Sequence, residues 1–179
     1  MGDWEVRPRQ RWRWDTAIAL SPSMSSSQSQ GFIASPAKKP VPNLSGTNLT
    51  TANLSQTNLM QANLCDANLT AADLRQANLK NTMLHMTNFS GAILTGVNLV
   101  GVTFRGNMSE AKLCGSNFSS ANLNGANCTS ADLRGANLES ANLEKANLKD
   151  ANLDGAKLGE AKNMAKLSGA TMSDGTVCE

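Results

Sequence analysis

The sequence predicts an all-β, repetitive fold in which very short extended segments alternate with tight corners. A five-residue repeat runs from Asn43 to Met172, and the first three positions of each repeat alternate small, polar and large apolar residues. Five matches neither the helical period of 3.6 nor the strand period of 2, so each block must combine a local extended segment with a change of direction. Glycine recurs at one of the two remaining positions, where a corner is expected.

Each block is centred on an apolar residue, here called position i, preceded by Asn or Asp at i−1 and a small residue at i−2. Among 25 centres between Leu44 and Met172, Leu occupies 20, and Ala occupies 17 of the i−2 sites. Strand alternation directs i−2 and i inward and i−1 outward. The predicted structural core includes Leu54, Leu64, Leu74, Phe89, Phe104, Phe118, Leu133 and Leu143.

The corners are predicted at i+1 and i+2. Glycine stands at i+2 in many blocks, among them eight with Gly46, Gly91, Gly96, Gly101, Gly115, Gly125, Gly135 and Gly155. The third residue of a type II turn requires a positive φ, which glycine adopts most readily. A closed turn is therefore expected after each centre.

Blocks such as Gln-Ala-Asn-Leu-Cys and Asp-Ala-Asn-Leu-Asp resemble the pentapeptide repeat family, whose motif is A-(N/D)-L-x-x. The resemblance covers about three quarters of the chain. It implies a right-handed quadrilateral β-helix, a solenoid in which four blocks form a coil of about 20 residues. At about 4.8 Å per coil, roughly six coils would make a rod of about 30 Å. The segment from Leu167 to Thr176 resembles the closing segment of cyanobacterial and chloroplast members.

The register slips twice, because nine residues separate Phe104 from Leu113 and Leu158 from Leu167. The first break, at residues 105–110, predicts a bulge or small loop; the second, at 159–166, precedes a last partial coil. The predicted organisation is a largely irregular N-terminal extension at 1–42, the repeat domain at 43–172 and a C-terminal tail at 173–179.

The extension differs in composition from the repeats: tryptophan and arginine alternate near its start, and Ser-rich and Pro-rich tracts follow. Arginine beside tryptophan suits an acidic partner through charge and stacking. The candidate partner-docking residues are Trp4, Arg7, Arg9, Arg11, Trp12, Arg13 and Trp14. The rival interpretation is a cleavable targeting segment, although the early acidic residues Asp3 and Glu5 oppose it.

The charge of the repeats bears on one activity known in the family, protection of DNA gyrase by acidic rods that imitate DNA. Residues 43–160 contain eight Lys or Arg and nine Asp or Glu. A DNA mimic needs a dense row of carboxylates in place of the phosphates. The near-neutral repeats therefore disfavour a type II topoisomerase as partner, and no specific nucleic acid is expected.

No residue set predicts catalysis, a metal site or a cofactor. Cys65, Cys114, Cys128 and Cys178 lack zinc-ligand spacing, and His85 is expected at an exposed corner. The many Asn residues at i−1 are interpreted as partners of the backbone. No catalytic residue, metal or cofactor is assigned, and the chain is not expected to be an enzyme.

The predicted function is a scaffold or protein-binding module that docks on a larger assembly, with a photosynthetic complex as one host. The alternatives are the topoisomerase-directed DNA mimic and a regulator of a soluble enzyme. No stretch is long and apolar enough to span a bilayer. The expected location is the cytoplasm or plastid stroma, soluble or peripherally attached to a complex, with the thylakoid lumen less favoured.

Overall fold

The regular structure consists of isolated parallel β-bridges rather than long strands. The computed structural model describes residues 41–159, 166–172 and 174–178. Each parallel bridge joins residues 20 or 19 positions apart, as in Asn43–Asn63 and Asn88–Asn107, so successive coils stack in register. Backbone bonds link the same coils, for example from Leu44 N to Asn63 O at 2.7 Å. We count each coil from its outward residue in the column that contains Asn43 and Asn63. The coils are then 43–62, 63–82, 83–102, 103–121, 122–141 and the coil from 142 onward.

The bridges fall in four columns, one on each side of the coil, which we name faces A to D. Within each face the outward i−1 residues of successive coils lie beside one another. Face A carries Asn43, Asn63, Met83, Thr103, Asn122 and Asn142; face B carries Asn48, Asn68, Asn88, Asn107, Asn127, Asn147 and Lys166. Face C carries Asn53, Asp73, Ile93, Lys112, Asp132, Asn152 and Thr171; face D carries Asn58, Asn78, Asn98, Asn117, Asn137 and Lys157.

The core consists of the i and i−2 side chains, which fill the interior of every described coil. Centres from Leu49 to Leu158 are at most 6% exposed, and together with the i−2 side chains they form one continuous hydrophobic cluster. Each fully buried Leu stabilises the fold by about 1.5–3 kcal/mol. Because the side chains of one coil pack on those above and below, stability depends on neighbouring coils.

The corners are closed β-turns, as the sequence predicts. The N–H at i+3 donates to the centre's carbonyl, for example Ala52 N to Leu49 O at 3.0 Å. The eight predicted glycines all have φ between 63° and 72°. Fourteen non-glycine residues at the same position, among them Thr51 and Met86, also have positive φ. The hydrogen bonds between coils therefore hold the turn even where the residue does not favour it.

At the register break of residues 105–110, the structure has a shortened corner in place of the bulge or small loop that the sequence predicts. Met108 is a buried centre and Asn107 is its outward i−1 residue, bridging both Asn88 and Asn127. The block from Arg105 to Met108 has four residues, so this coil has 19. Gly106 takes the i−2 position, where an added Cβ would overlap the Thr87 carbonyl oxygen and lie 3.0 Å from Cζ of Phe104. The corner can lose a residue because Gly106 has no side chain.

The chain reverses direction at the end of the last described coil. Asn147 bridges Lys166 and Asn152 bridges Thr171, again 19 residues apart, and Thr171 then pairs antiparallel with Val177. Cys178 N donates to Ala170 O, and Gly169 N donates to Cys178 O. Within the described ranges, no helix has the length and apolar character needed to cross a membrane.

Candidate functional site

The outer faces are the part of the described molecule that is open to a partner, because the interior is filled. Leu54, Leu64, Leu74, Phe89, Phe104, Phe118, Leu133 and Leu143 all lie in the core at 0–2% exposure. Burial raises the pKa of the Cys128 thiol to about 12, so this cysteine is a packing residue rather than a nucleophile. The four cysteines are free thiols.

Asparagine at i−1 satisfies the backbone on all four faces. Its side-chain oxygen accepts a bond from the backbone N–H two residues later, as in Ser45 N to Asn43 Oδ1 at 3.2 Å and Cys65 N to Asn63 Oδ1 at 3.0 Å. This is an Asx-turn, which covers the first N–H of the corner. The sequence interpretation of these asparagines as backbone partners is confirmed.

Face B adds a continuous polar ladder across the coils. Asn88 Nδ2 donates to Thr70 Oγ1, Asn107 Nδ2 to Asn88 Oδ1, and Asn127 Nδ2 to Asn107 Oδ1, at 3.0–3.3 Å. Asn147 Nδ2 extends it to Thr129 Oγ1 at 2.9 Å. The ladder crosses the 19-residue coil without interruption. It is a polar strip whose side chains are held in place by one another.

Face C carries the two closest ion pairs among the described residues. Arg75 contacts Asp73, and Arg134 contacts Asp132, each through a 2.7 Å bond from Nη2 to Oδ2 and a second bond from Nε. In both pairs the arginine lowers the pKa of the carboxyl group, chiefly through the side-chain hydrogen bond. Because the charges are paired on the same face, this face presents little net charge to a partner.

Face A and its following corner carry an unusual group of sulfur and nitrogen side chains. Met83 takes the i−1 site, where Asn is usual, and His85 and Met86 form the corner. Met83 and Met86 are 52% and 56% exposed, and Cys65 occupies the same corner one coil earlier. Asp66 N donates to His85 O at 2.9 Å, which fixes the register of the two corners. We name Cys65, Met83, His85 and Met86 the sulfur corner.

The sequence prediction of docking residues falls on Trp4, Arg7, Arg9, Arg11, Trp12, Arg13 and Trp14, which lie outside the described residues. Sequence reasoning placed His85 at an exposed corner but did not join it with Cys65 or with the methionines. The available signal was the replacement of Asn by Met at i−1 of one block. In the described part of the chain, no three His, Cys, Asp or Glu side chains form a metal-binding group.

Comparison with known proteins assigns the repeats to one family profile. The profile described as pentapeptide repeats matches eight copies, within residues 43–81, 72–106, 107–139 and 126–162. No curated protein sequence matches the chain significantly.

Three solved structures illustrate the structural likeness. HetL, a pentapeptide repeat protein involved in heterocyst differentiation regulation from the cyanobacterium Nostoc sp. PCC 7120, is 38% identical, over 78% of this chain and 65% of HetL, with a TM-score of 0.48. The match thus spans less than two thirds of HetL. Rfr23 from the cyanobacterium Cyanothece 51142 is 31% identical, over 70% of this chain and 87% of its own, with a TM-score of 0.34. A thylakoid-lumen protein from Arabidopsis thaliana is 24% identical, over 66% and 73%, with a TM-score of 0.31.

Proposed function

Because this chain belongs to the pentapeptide repeat family, we propose that it is a non-enzymatic scaffold or protein-binding module that docks on a larger assembly. The observation that supports this most is the interior: the centres from Leu49 to Leu158 are buried together with the small residues at i−2. An enzyme usually needs a concave site lined by converging polar groups. A filled coil instead offers rigid outer faces, which suit recognition of a protein.

The proposal divides the work between two parts of the chain. The repeats at 43–172, a right-handed quadrilateral β-helix, act as a rigid spacer, and the tail at 173–179 follows them. The extension at 1–42 acts as the docking arm through its alternating Trp and Arg side chains, which combine a large apolar surface with positive charge. The expected partner is an acidic protein surface.

The proposed host is a photosynthetic or other membrane-associated complex, reached from the cytoplasm or plastid stroma. The support is the likeness of the closing segment, residues 167–176, to cyanobacterial and chloroplast members. No transmembrane segment is needed for such attachment, because docking on a protein complex suffices.

The alternatives are a DNA mimic directed at a type II topoisomerase and a regulator of a soluble enzyme. The described coils carry eight basic and eight acidic side chains between residues 43 and 159, and face C pairs four of them. A DNA mimic would need a row of unpaired carboxylates. A supercoiling assay distinguishes the DNA mimic from the scaffold, because inhibition or protection of gyrase at micromolar protein would favour the mimic.

The test of the docking arm is affinity capture from lysate of the native organism. Three baits are compared: the full chain, a form that begins at Asn43, and the full chain with Trp4, Trp12 and Trp14 changed to Ala. We expect the same partner to be lost from both altered baits, with the endogenous protein retaining residues 1–42. Retention of the partner by both would place the contact on the repeats. An endogenous N-terminus near Lys38 would instead support a targeting segment.

A further inference from the structure

We propose that the sulfur corner is a binding site for a soft monovalent metal ion, Cu(I), held by Cys65, Met83, His85 and Met86. This goes beyond the scaffold function and does not depend on it. The four side chains belong to two adjacent coils, and three of them come from one block of the repeat.

The backbone brings these residues together. Leu64 N donates to Met83 O and Asp66 N donates to His85 O, each at 2.9 Å, so Cys65 and His85 occupy equivalent positions on neighbouring coils. Equivalent positions of paired strands lie about 4.8 Å apart. Met83 is two residues before His85 on the same face, and Met86 follows it at the corner, where its φ is 56°. The backbone hydrogen bonds between the two coils therefore fix all four Cα positions before any ion binds.

The ligand chemistry selects the metal. Thiolate and thioether sulfur prefer Cu(I), and imidazole also binds copper, whereas Mg²⁺ and Ca²⁺ prefer oxygen ligands. Binding displaces the Cys65 thiol proton, and the resulting thiolate neutralises the charge of the ion. Asp66 beside the corner favours a cation, while Arg105, one coil beyond His85, opposes it. Cys65 is half-buried and the other three side chains are exposed, so an ion can reach the site.

Two exposed methionines in a single block separate this corner from the rest of the described surface. Met60, Met83 and Met86 are three of the five exposed large hydrophobic residues. Met60 stands at another corner and is 42% exposed, but it lies outside the sulfur corner. It is the matched control for an exposed thioether. Cys114, a half-buried free thiol at the equivalent corner position on face C, is the matched control for the cysteine.

The experiment titrates the full chain anaerobically with Cu(I) in competition with a chromophoric Cu(I) chelator. We expect one tight site, weakened more than about tenfold by Cys65→Ser and by the double change Met83→Leu with Met86→Leu. His85→Gln is expected to weaken it less. Met60→Leu and Cys114→Ser should leave the affinity unchanged.

A structural readout accompanies the titration. Thermal unfolding checks that each variant is folded, and methyl resonances of Met83 and Met86 should shift on addition of Ag(I), a redox-inert substitute. Equal affinity of the wild type and Cys65→Ser would overturn the proposal, as would an equal loss in the two control variants.

Discussion

The first three coils and the coils that follow have the same architecture but differ in their outward charge and in their buried hydroxyl groups. Residues 43–102 form coils of 20 residues and carry four charged side chains, Asp66, Asp73, Arg75 and Lys80. Residues 103–159 begin with the 19-residue coil and carry twelve: Arg105, Glu110, Lys112, Asp132, Arg134, Glu139, Glu144, Lys145, Lys149, Asp150, Asp154 and Lys157. The bridges are parallel in both regions, so outward charge does not determine the fold.

The two regions also differ in the hydrogen bonding of their buried hydroxyl groups. In the first region the inward Thr57, Thr82 and Thr87 hydroxyls donate to carbonyls of Leu54, Leu79 and Leu64, respectively. In the second region the Ser116 hydroxyl is buried with no hydrogen-bond partner among the described atoms. The i−2 position thus accepts a polar group in either case, but only the first region uses it to stabilise the structure.

Phe104→Ala should have the largest effect, because this ring fills the shortened corner. Phe104 is 1% exposed, and its ring centroid lies 5.8 Å from that of Phe89. We expect a loss of about 3–5 kcal/mol in the free energy of unfolding, measured by urea denaturation. Leu84→Ala, one coil earlier in the same column, is the control from the first region. A smaller loss for Phe104→Ala than for Leu84→Ala would contradict this role of the ring.

Gly106→Ala tests whether the shortened corner depends on glycine. The added methyl group would overlap the Thr87 carbonyl oxygen, so we expect a loss of up to about 3 kcal/mol by urea denaturation. Gly101→Ala, at an ordinary corner with φ of 65° and open space around it, should cost only about 1–2 kcal/mol. Inserting a glycine after Arg105 in the Gly106→Ala variant restores a five-residue block and should recover stability. Equal losses at the two glycines would refute the close approach.

Ser116→Ala should stabilise the protein, whereas Thr87→Ala should destabilise it. Removing an unpartnered buried hydroxyl recovers about 1 kcal/mol of desolvation, and removing one that donates to Leu64 O at 2.8 Å loses about the same. Urea midpoints of the two variants should move in opposite directions from that of the wild type. A fall in both midpoints would show that the Ser116 hydroxyl has a partner.

The ion pairs of face C should produce the smallest effect, and the same one in both regions. Their carboxyl pKa values are lowered on folding, so each pair contributes stability above the unfolded pKa of about 3.9 that is lost as pH falls through the folded value. Asp73→Asn and Asp132→Asn should each reduce the decline of the urea midpoint between pH 6 and pH 3. Lys112 also lowers the pKa of Asp132, so the second variant should show slightly more. A steeper decline in either variant would reverse the sign of this argument.

The spacing of residues within a block predicted which side chains of the coil are buried and where its corners lie, because the same order of small, polar and apolar residues recurs along the repeats. The positions of Leu54, Cys128 and the glycine corners all follow from their offset to a centre. Met108 was not predicted as a centre, although Asn107 precedes it as Asn precedes other centres, because a four-residue block breaks the period. Whether Gly106 can close that corner depends on the Thr87 carbonyl of the previous coil, which lies 19 residues away in sequence and cannot be seen in a local pattern.

The surface was less predictable for the same physical reason. A period of five shows which residues point outward, but their neighbours on adjacent coils depend on the number of residues in each coil. Asn127 donates to Asn107, and Cys65 and His85 take equivalent positions on neighbouring coils, only because four blocks complete one coil. The extension at 1–42 follows no period, so its docking role remains a prediction.

The 19-residue coil has a consequence for tracing descent among such proteins. An alignment that matches blocks by a fixed spacing of five would assign every residue after Met108 one position out of phase. Outward residues such as Lys112 would then be compared with buried ones, and substitution rates would be averaged across unlike environments. Homologous positions in this chain are better identified by column than by distance along the sequence, so a deletion of one residue can be inherited without altering the faces that selection acts upon.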